Sequence, residues 1–229
     1  MIMHFDNGEE NSMEEQRMIV CENASVRLKG FHTQPVNLVM DKGFIYGLQG
    51  KNGSGKSTFI KMLLGRYPKM QGHIRIADLD VIENREQMLS KVGYVSEDRI
   101  FYGDKSVVEQ EEIYSVFYSN WNHDIFEELL KKYQISKLTK YSALSKGNQI
   151  KFQLAFSMAY QPEVLILDEP MAGLDPVFRM DFVKFLQDIV AEYETTIVIS
   201  SHLREELEKI TDYMIVVDNG SYTCEEVLR

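Results

Sequence analysis

Five short runs of the chain are almost uninterrupted in apolar residues: FIYGL (44–48), KVGYVS (91–96), EVLILD (163–168), TTIVIS (195–200) and YMIVV (213–217). The last three are dense in Val, Ile and Leu and lack the in–out alternation of a half-exposed strand. Strands covered on both faces read this way, as in a parallel sheet under helices. Segments with helical spacing separate them, over 56–66, 176–193 and 203–210. Strand alternating with helix predicts an α/β fold. The two ends of this frame differ. MIVCENASVRL and VNLVM, joined by a turn with Gly and Pro, predict an antiparallel pair near the N-terminus. Residues 106–160 carry mostly helical patterns, among them DIFEELLKKY and QIKFQLAFSMAY. There is no internal repeat and no low-complexity linker. The pattern predicts one sheet-based core over 18–229 with a helical insertion at about 98–160, behind a polar, flexible lead-in over 1–17.

Charge and composition narrow the function classes. Acidic residues outnumber basic ones by 35 to 25, a net charge of −10. That disfavours a general nucleic-acid binder, which carries a basic face. Cys21 and Cys224 have no metal-ligand spacing and form no disulfide framework, so both are expected as reduced thiols. No apolar run reaches the roughly 18 residues of a membrane span. The opening MIMHFDNGEENSMEEQR lacks the basic and apolar regions of a signal peptide.

The chemistry begins at GLQGKNGSGKSTFIK, 47–61. Gly50, Gly55, Lys56 and Ser57 fit G-x-x-x-x-G-K-[ST], directly after a strand and opening a helix, which is the setting the motif requires. The bland alternative is a tight strand-to-helix turn without a ligand. In the phosphate-binding reading, residues 50–55 (with Asn52, Gly53 and Ser54) turn backbone N–H groups inward. The helix N-terminus adds positive potential. Lys56 neutralises phosphate charge, Ser57 ligates Mg²⁺ and Thr58 reaches a further phosphate.

VLILDEP (164–170) is an apolar strand ending in two acids. Open α/β sheets place ligands at such ends. Asp168 is the candidate Mg²⁺ residue, and Glu169 the candidate general base for an attacking water. The alternative is a strand capped by two solvated acids. LSKGNQ (144–149) opens a helix with Ile150, Leu154, Ala155 and Met158 on one side. Ser145 and Gly147 there make either a second anion site or a simple helix cap.

Taken in order, GKNGSGKST, LSKGNQ, LILDEP, AGLDP and SSH resemble the nucleotide-binding subunit of ATP-binding cassette (ABC) transporters, over nearly the whole chain from about residue 18. The resemblance implies a P-loop NTPase core with a mostly parallel sheet, an N-terminal antiparallel β subdomain and an inserted α-helical subdomain. It implies an ATPase using ATP and Mg²⁺, a head-to-tail dimer with a second ATP-binding subunit, identical or not, and separate transmembrane permease subunits. The protein is then expected in the cytoplasm, peripheral on the inner face of the cell membrane, with no nucleic-acid partner. Each ATP sits between the phosphate loop of one subunit and the Ser145–Gly147 segment of the other. His202 matches the histidine that orients water with Glu169, and Asp175 matches the loop touching the partner subunit.

Some positions depart from the family pattern. Glu97 stands where the loop to the membrane subunit usually carries Gln, and a carboxylate still offers an oxygen to Mg²⁺. Lys146 replaces a glycine and Asn148 a Gln; Lys146 is expected to face solvent. The aromatic that stacks on adenine is Phe31, or its place is taken by Leu28. Trp121 and Phe126 are expected in the core, with part of their region facing the membrane subunits. These features resemble cassettes of small bacterial ABC-2-type exporters. Two rival readings remain. A soluble cassette ATPase acting on ribosomes or nucleic acid usually carries two cassettes, a long coiled coil or zinc-binding inserts, and this chain has none of these patterns. A phosphate-loop kinase or GTPase does not account for LSKGNQ, Glu169 and His202 together.

Overall fold

The computed structural model describes residues 16–96, 101–172, 174 and 176–227. The chain opens with β1 (Arg17–Ser25), the small hairpin β2 (Arg27–Leu28) and β3 (Phe31–His32), and β4 (Val36–Asp41). Next come β5 (Ile45–Gln49), α1 (Lys56–Leu63), β6 (Gln71–Ile76), β7 (Leu79–Asp80), α2 (Arg85–Leu89) and β8 (Val92–Ser96). The helical part contains α3 (Val107–Tyr114), α4 (His123–Lys132) and α5 (Lys146–Ala159). The rest is β9 (Val164–Asp168), α6 (Pro176–Tyr193), β10 (Thr196–Ser201), α7 (Arg204–Leu207), β11 (Tyr213–Asp218) and β12 (Ser221–Glu226).

Six strands form the main sheet in the order β12-β11-β5-β10-β9-β8. β11, β5, β10, β9 and β8 are parallel, and β12 returns antiparallel beside β11. The five apolar runs are these five parallel strands. Their near-continuous Val, Ile and Leu follow from burial on both faces: every residue of β10 is buried. Phe59, Ile60 and Leu63 of α1 pack on one face beside Ile166 and Val198. Phe182, Phe185, Leu186 and Ile189 of α6 pack on the other, with Leu165 and Ile199.

A second sheet, β4-β1-β6-β7, is antiparallel throughout. The expected pair β1 and β4 is there, but β1 is central, with β6 on its other side. QGHIRI was not anticipated as a strand because only Ile74 and Ile76 point inward. Nor was β12. Its signal was local: Asn219 and Gly220 both take positive φ, 45° and 80°, in the two-residue turn that suits Asn-Gly. Two helices are shorter than their patterns. α1 stops at Leu63, where the Arg66 N–H turns back to the Lys61 carbonyl. α7 covers only Arg204–Leu207 of the expected 203–210.

The helical part has an aromatic core. Phe126, Phe152 and Tyr141 are fully buried there. Trp121 packs its ring 4.7 Å from Phe156 and 5.3 Å from Phe126. Each helix has a start signal that the backbone requires: Ser106 and Glu109 form a capping box on α3, and Asn122 accepts from the N–H groups of Asp124 and Ile125 on α4. α5 lies along β8, the edge strand. The Gln153 amide holds both the N–H and the carbonyl of Ser96, each at 3.1 Å, and the Tyr160 hydroxyl donates to the Val92 carbonyl. These side chains satisfy edge groups that no strand covers. Cys21 and Cys224 are free thiols, and burial pushes Cys21 up to about 12. Among the described residues no helix is long and apolar enough to cross a membrane.

Candidate active site

The carboxyl ends of β5 and β9 meet at one cavity of about 340 Å³, with the end of β10 reaching it through the contact of His202 with Glu169. Lys51, Asn52, Gly53, Gly55, Lys56, Ser57 and Thr58 form its floor, with Phe31 on one side and Glu169 on another. Gly55 precedes α1 with φ 123°, a conformation that excludes a side chain in practice. It gives the helix no side-chain cap. The first-turn N–H groups of α1 and its dipole therefore face the cavity, an arrangement suited to anions. At Gly50 a Cβ would press into the Ser54 hydroxyl and come within 2.6 Å of the Val217 carbonyl. Gly50 and Ser54 thus lie beneath the loop instead of lining it. The Ser54 hydroxyl is buried without a hydrogen-bond partner.

Lys56 is buried at 6% exposure. Its ammonium donates to the Gly50 carbonyl at 2.7 Å and lies 3.4 Å from Glu169 Oε1. The other Glu169 oxygen, Oε2, faces His202 Nδ1 at 3.1 Å. Lys56, Glu169 and His202, from three separate elements, form one contiguous chain of charged and titratable groups.

One residue that sequence reasoning missed organises this end of the sheet. Ser200, fully buried in β10, donates its hydroxyl to Asp168 Oδ1 at 2.8 Å and accepts from the Glu169 N–H at 2.9 Å. Glu169 sits in the left-handed region, φ 49°, just after β9. Such backbone costs free energy and persists only where neighbours hold it. Ser200 holds it, with one hydrogen bond to the Asp168 carboxylate and one from the Glu169 backbone. The SSH tripeptide carries the signal, with its histidine the more conspicuous residue.

Ser145 and Gly147 do not line this cavity. Ser145 is the N-cap of α5, accepting from the Asn148 N–H at 3.3 Å, and is exposed, as is Lys146. Phe31 lines the cavity, whereas its cross-strand neighbour Leu28 packs on the core, which favours Phe31 as the aromatic of the site. Glu97 and Asp175 lie outside the described residues.

A family model described as ABC transporter matches residues 33–172, more than half of the chain. The chain belongs to the ABC transporter family. It is 35% identical over 194 residues to the bacitracin transport ATP-binding protein BcrA of Enterococcus faecalis, covering 84% of this chain and 63% of the relative. The ABC transporter ATP-binding protein YtrB of Bacillus subtilis is 30% identical over 188 residues, covering 82% and 64%. The cassette thus spans somewhat under two thirds of the length of these curated relatives. Among solved structures, cbiO1 from Clostridium perfringens, titled as part of the ABC transporter complex cbiONQ, superposes with a TM-score of 0.80 at 24% identity, covering 93% and 89%. The ADP conformation of MJ1267, titled an ATP-binding cassette of an ABC transporter, gives 0.75 at 23%, covering 92% and 91%. At these identities the superpositions establish the fold, a P-loop NTPase core with a mostly parallel sheet and an antiparallel N-terminal sheet.

Proposed function

We propose that this cassette is the ATP-binding and ATP-hydrolysing motor subunit of a membrane transporter. The observation that carries the reading is the Lys56–Glu169–His202 chain at the mouth of an uncapped helix. It brings a phosphate-neutralising cation and a water-activating pair to one cavity. Phosphates of ATP rest on the loop N–H groups and on Lys56, drawing the ammonium from Glu169, and the adenine stacks on Phe31. Glu169 then takes a proton from the attacking water while His202 orients it. The water oxygen bonds to the γ-phosphorus, the bridging oxygen bond breaks, and ADP leaves with its electron pair. Mg²⁺ would be held by Ser57 and Asp168, with Glu97 the further candidate from the sequence, and would supply charge neutralisation on the phosphate oxygens. The hydrogen bond from Ser200 orients the Asp168 carboxyl for that role.

Ser145 and Gly147, away from this cavity at a helix start, Ser145 exposed and Gly147 half-buried, serve the ATP of a second cassette. For the permease, the fitting surface is a groove of about 290 Å³ between core and helical part. Arg66, Arg85 and Tyr94 line one wall, and Tyr114, Tyr118 and Phe156 the other. Val116 and Phe117 next to it are 76% and 75% exposed. A short helix of a membrane subunit, apolar with an acidic residue for the arginines, matches it. That partner puts the cassette on the inner face of the cell membrane. Relatives named for bacitracin transport and for probable multidrug transport favour export. The test is the solution mass of Glu169→Gln with and without Mg-ATP by light scattering. Doubling with ATP supports the motor dimer. A mass that stays monomeric while ATP binds counts against a homodimer, and failure to bind ATP removes the reading.

A further inference from the structure

β12 supplies no motif residue, yet it grips the phosphate loop from behind. The Gly220 N–H donates to the Ser54 carbonyl at 2.9 Å, and the Tyr222 hydroxyl donates to the Gly55 carbonyl at 3.1 Å. The Tyr222 ring packs on Phe59 of α1, 4.9 Å between centroids. Gly220 is itself tied down, its carbonyl accepting from the Gln34 N–H at 2.7 Å. A trans peptide is planar, so its carbonyl and N–H point in opposite directions. Drawing the Ser54 and Gly55 carbonyls toward the hairpin therefore aims the N–H groups of Gly55 and Lys56 the other way, into the cavity. The Gly55 carbonyl also accepts the Phe59 N–H, the first hydrogen bond of α1. Tyr222 thus acts on the peptide where loop becomes helix.

From this geometry we infer that Tyr222, supported by Gly220, is a positioning residue for nucleotide binding, holding the phosphate loop with its amides presented to the phosphates of a nucleoside triphosphate. The inference rests on the ATP-binding reading above. It agrees with two further facts. A Cβ at Gly55 would meet the Tyr222 hydroxyl at 2.9 Å and the Phe31 ring at 3.0 Å, so the brace and the proposed base platform crowd the same glycine. Burial also pushes the Tyr222 phenol well above its ordinary value, so the donor keeps its proton at any working pH.

Tyr222→Phe tests it on the full chain, with a fluorescent ATP analogue and Mg²⁺ for affinity, ATP hydrolysis for kcat, and thermal melting for stability. Phe keeps the ring contact with Phe59 and removes one neutral hydrogen bond. Affinity should weaken about three- to tenfold, the range expected for one such bond, with kcat within about twofold. The control is Tyr46→Phe, a buried tyrosine outside the cavity whose hydroxyl accepts from the Asp41 N–H at 2.7 Å. It should lower the melting temperature and leave affinity alone. Wild-type affinity in Tyr222→Phe overturns the inference, as does equal weakening by Tyr46→Phe, which would mean general softening. A wild-type chain that binds no ATP removes the underlying reading and this inference with it; wild-type binding that Tyr222→Phe leaves unaltered removes this inference alone.

Discussion

Replacing Ser200 with Ala removes one hydroxyl that two groups use. The Asp168 carboxylate loses a charge-assisted hydrogen bond at 2.8 Å, and the Glu169 N–H loses its acceptor at 2.9 Å. A hydrogen bond to a charged group contributes about 1.5–3 kcal/mol, and an orphaned buried donor costs about 1–3 kcal/mol. Asp168 and Glu169 are only partly buried, so water recovers some of this and the lower halves of those ranges apply. The sum is about 3 kcal/mol. For a domain of 150–250 residues that lowers the melting temperature by about 6–12 °C. The catalytic effect is separable. Glu169 holds its left-handed backbone against a strain of roughly 1–3 kcal/mol, and without Ser200 it relaxes away from His202. Misplacement worth about 1.4 kcal/mol lowers kcat tenfold. Affinity for ATP without Mg²⁺ should hold to within about twofold, since no hydrogen bond among the described residues joins Lys56 or the loop to Ser200. Thermal melting, nucleotide titration and hydrolysis on one preparation separate the three effects. A lowered melting temperature with wild-type kcat would refute the positioning role, and an unchanged melting temperature would refute the energetic argument too.

Gly50→Ala should abolish measurable ATP binding and cost about 1–3 kcal/mol of stability, because the new methyl group strikes the Ser54 hydroxyl and the Val217 carbonyl; titration and denaturant melts measure both, and normal binding would show that the loop tolerates the shift. The His123 imidazole bridges two helices, Nδ1 at 2.6 Å from Glu111 and Nε2 at 3.4 Å from Glu127, with Lys137 also paired to Glu127. The hydrogen bond to Glu111 raises its pKa above 6.5. The stabilisation is therefore complete below the unfolded value and lost as pH rises through the higher folded one. Since the imidazole is 60% exposed, screening keeps this below about 1 kcal/mol. The stability difference between wild type and His123→Gln should shrink from pH 5.5 to pH 9, and a flat difference would remove the clamp.

Much of this protein was legible without coordinates, and the reason is range. The glycine loop, the acidic strand end and the five apolar runs are codes written over a few consecutive residues. Burial on both faces forces the continuous Val, Ile and Leu of the parallel strands, and a helix-opening lysine needs its glycines beside it. What only the tertiary structure decided joins residues far apart in the chain. β6 and β12 bury too few residues to announce themselves by hydrophobicity, and gain their place from partners in sheet order. Phe31 and Leu28 are indistinguishable as apolar residues; only the packing around the β2–β3 hairpin leaves Phe31 lining the cavity and Leu28 against the core. Ser200 meets Asp168 only because β10 lies beside β9, and Tyr222 meets Gly55 only because β12 folds back behind the loop. A hydroxyl among apolar neighbours carries no local sign of which carboxylate or carbonyl it will face. That is set when packing of the two sheets and α1 fixes strand order, and the hydrogen bonds of the site follow from it.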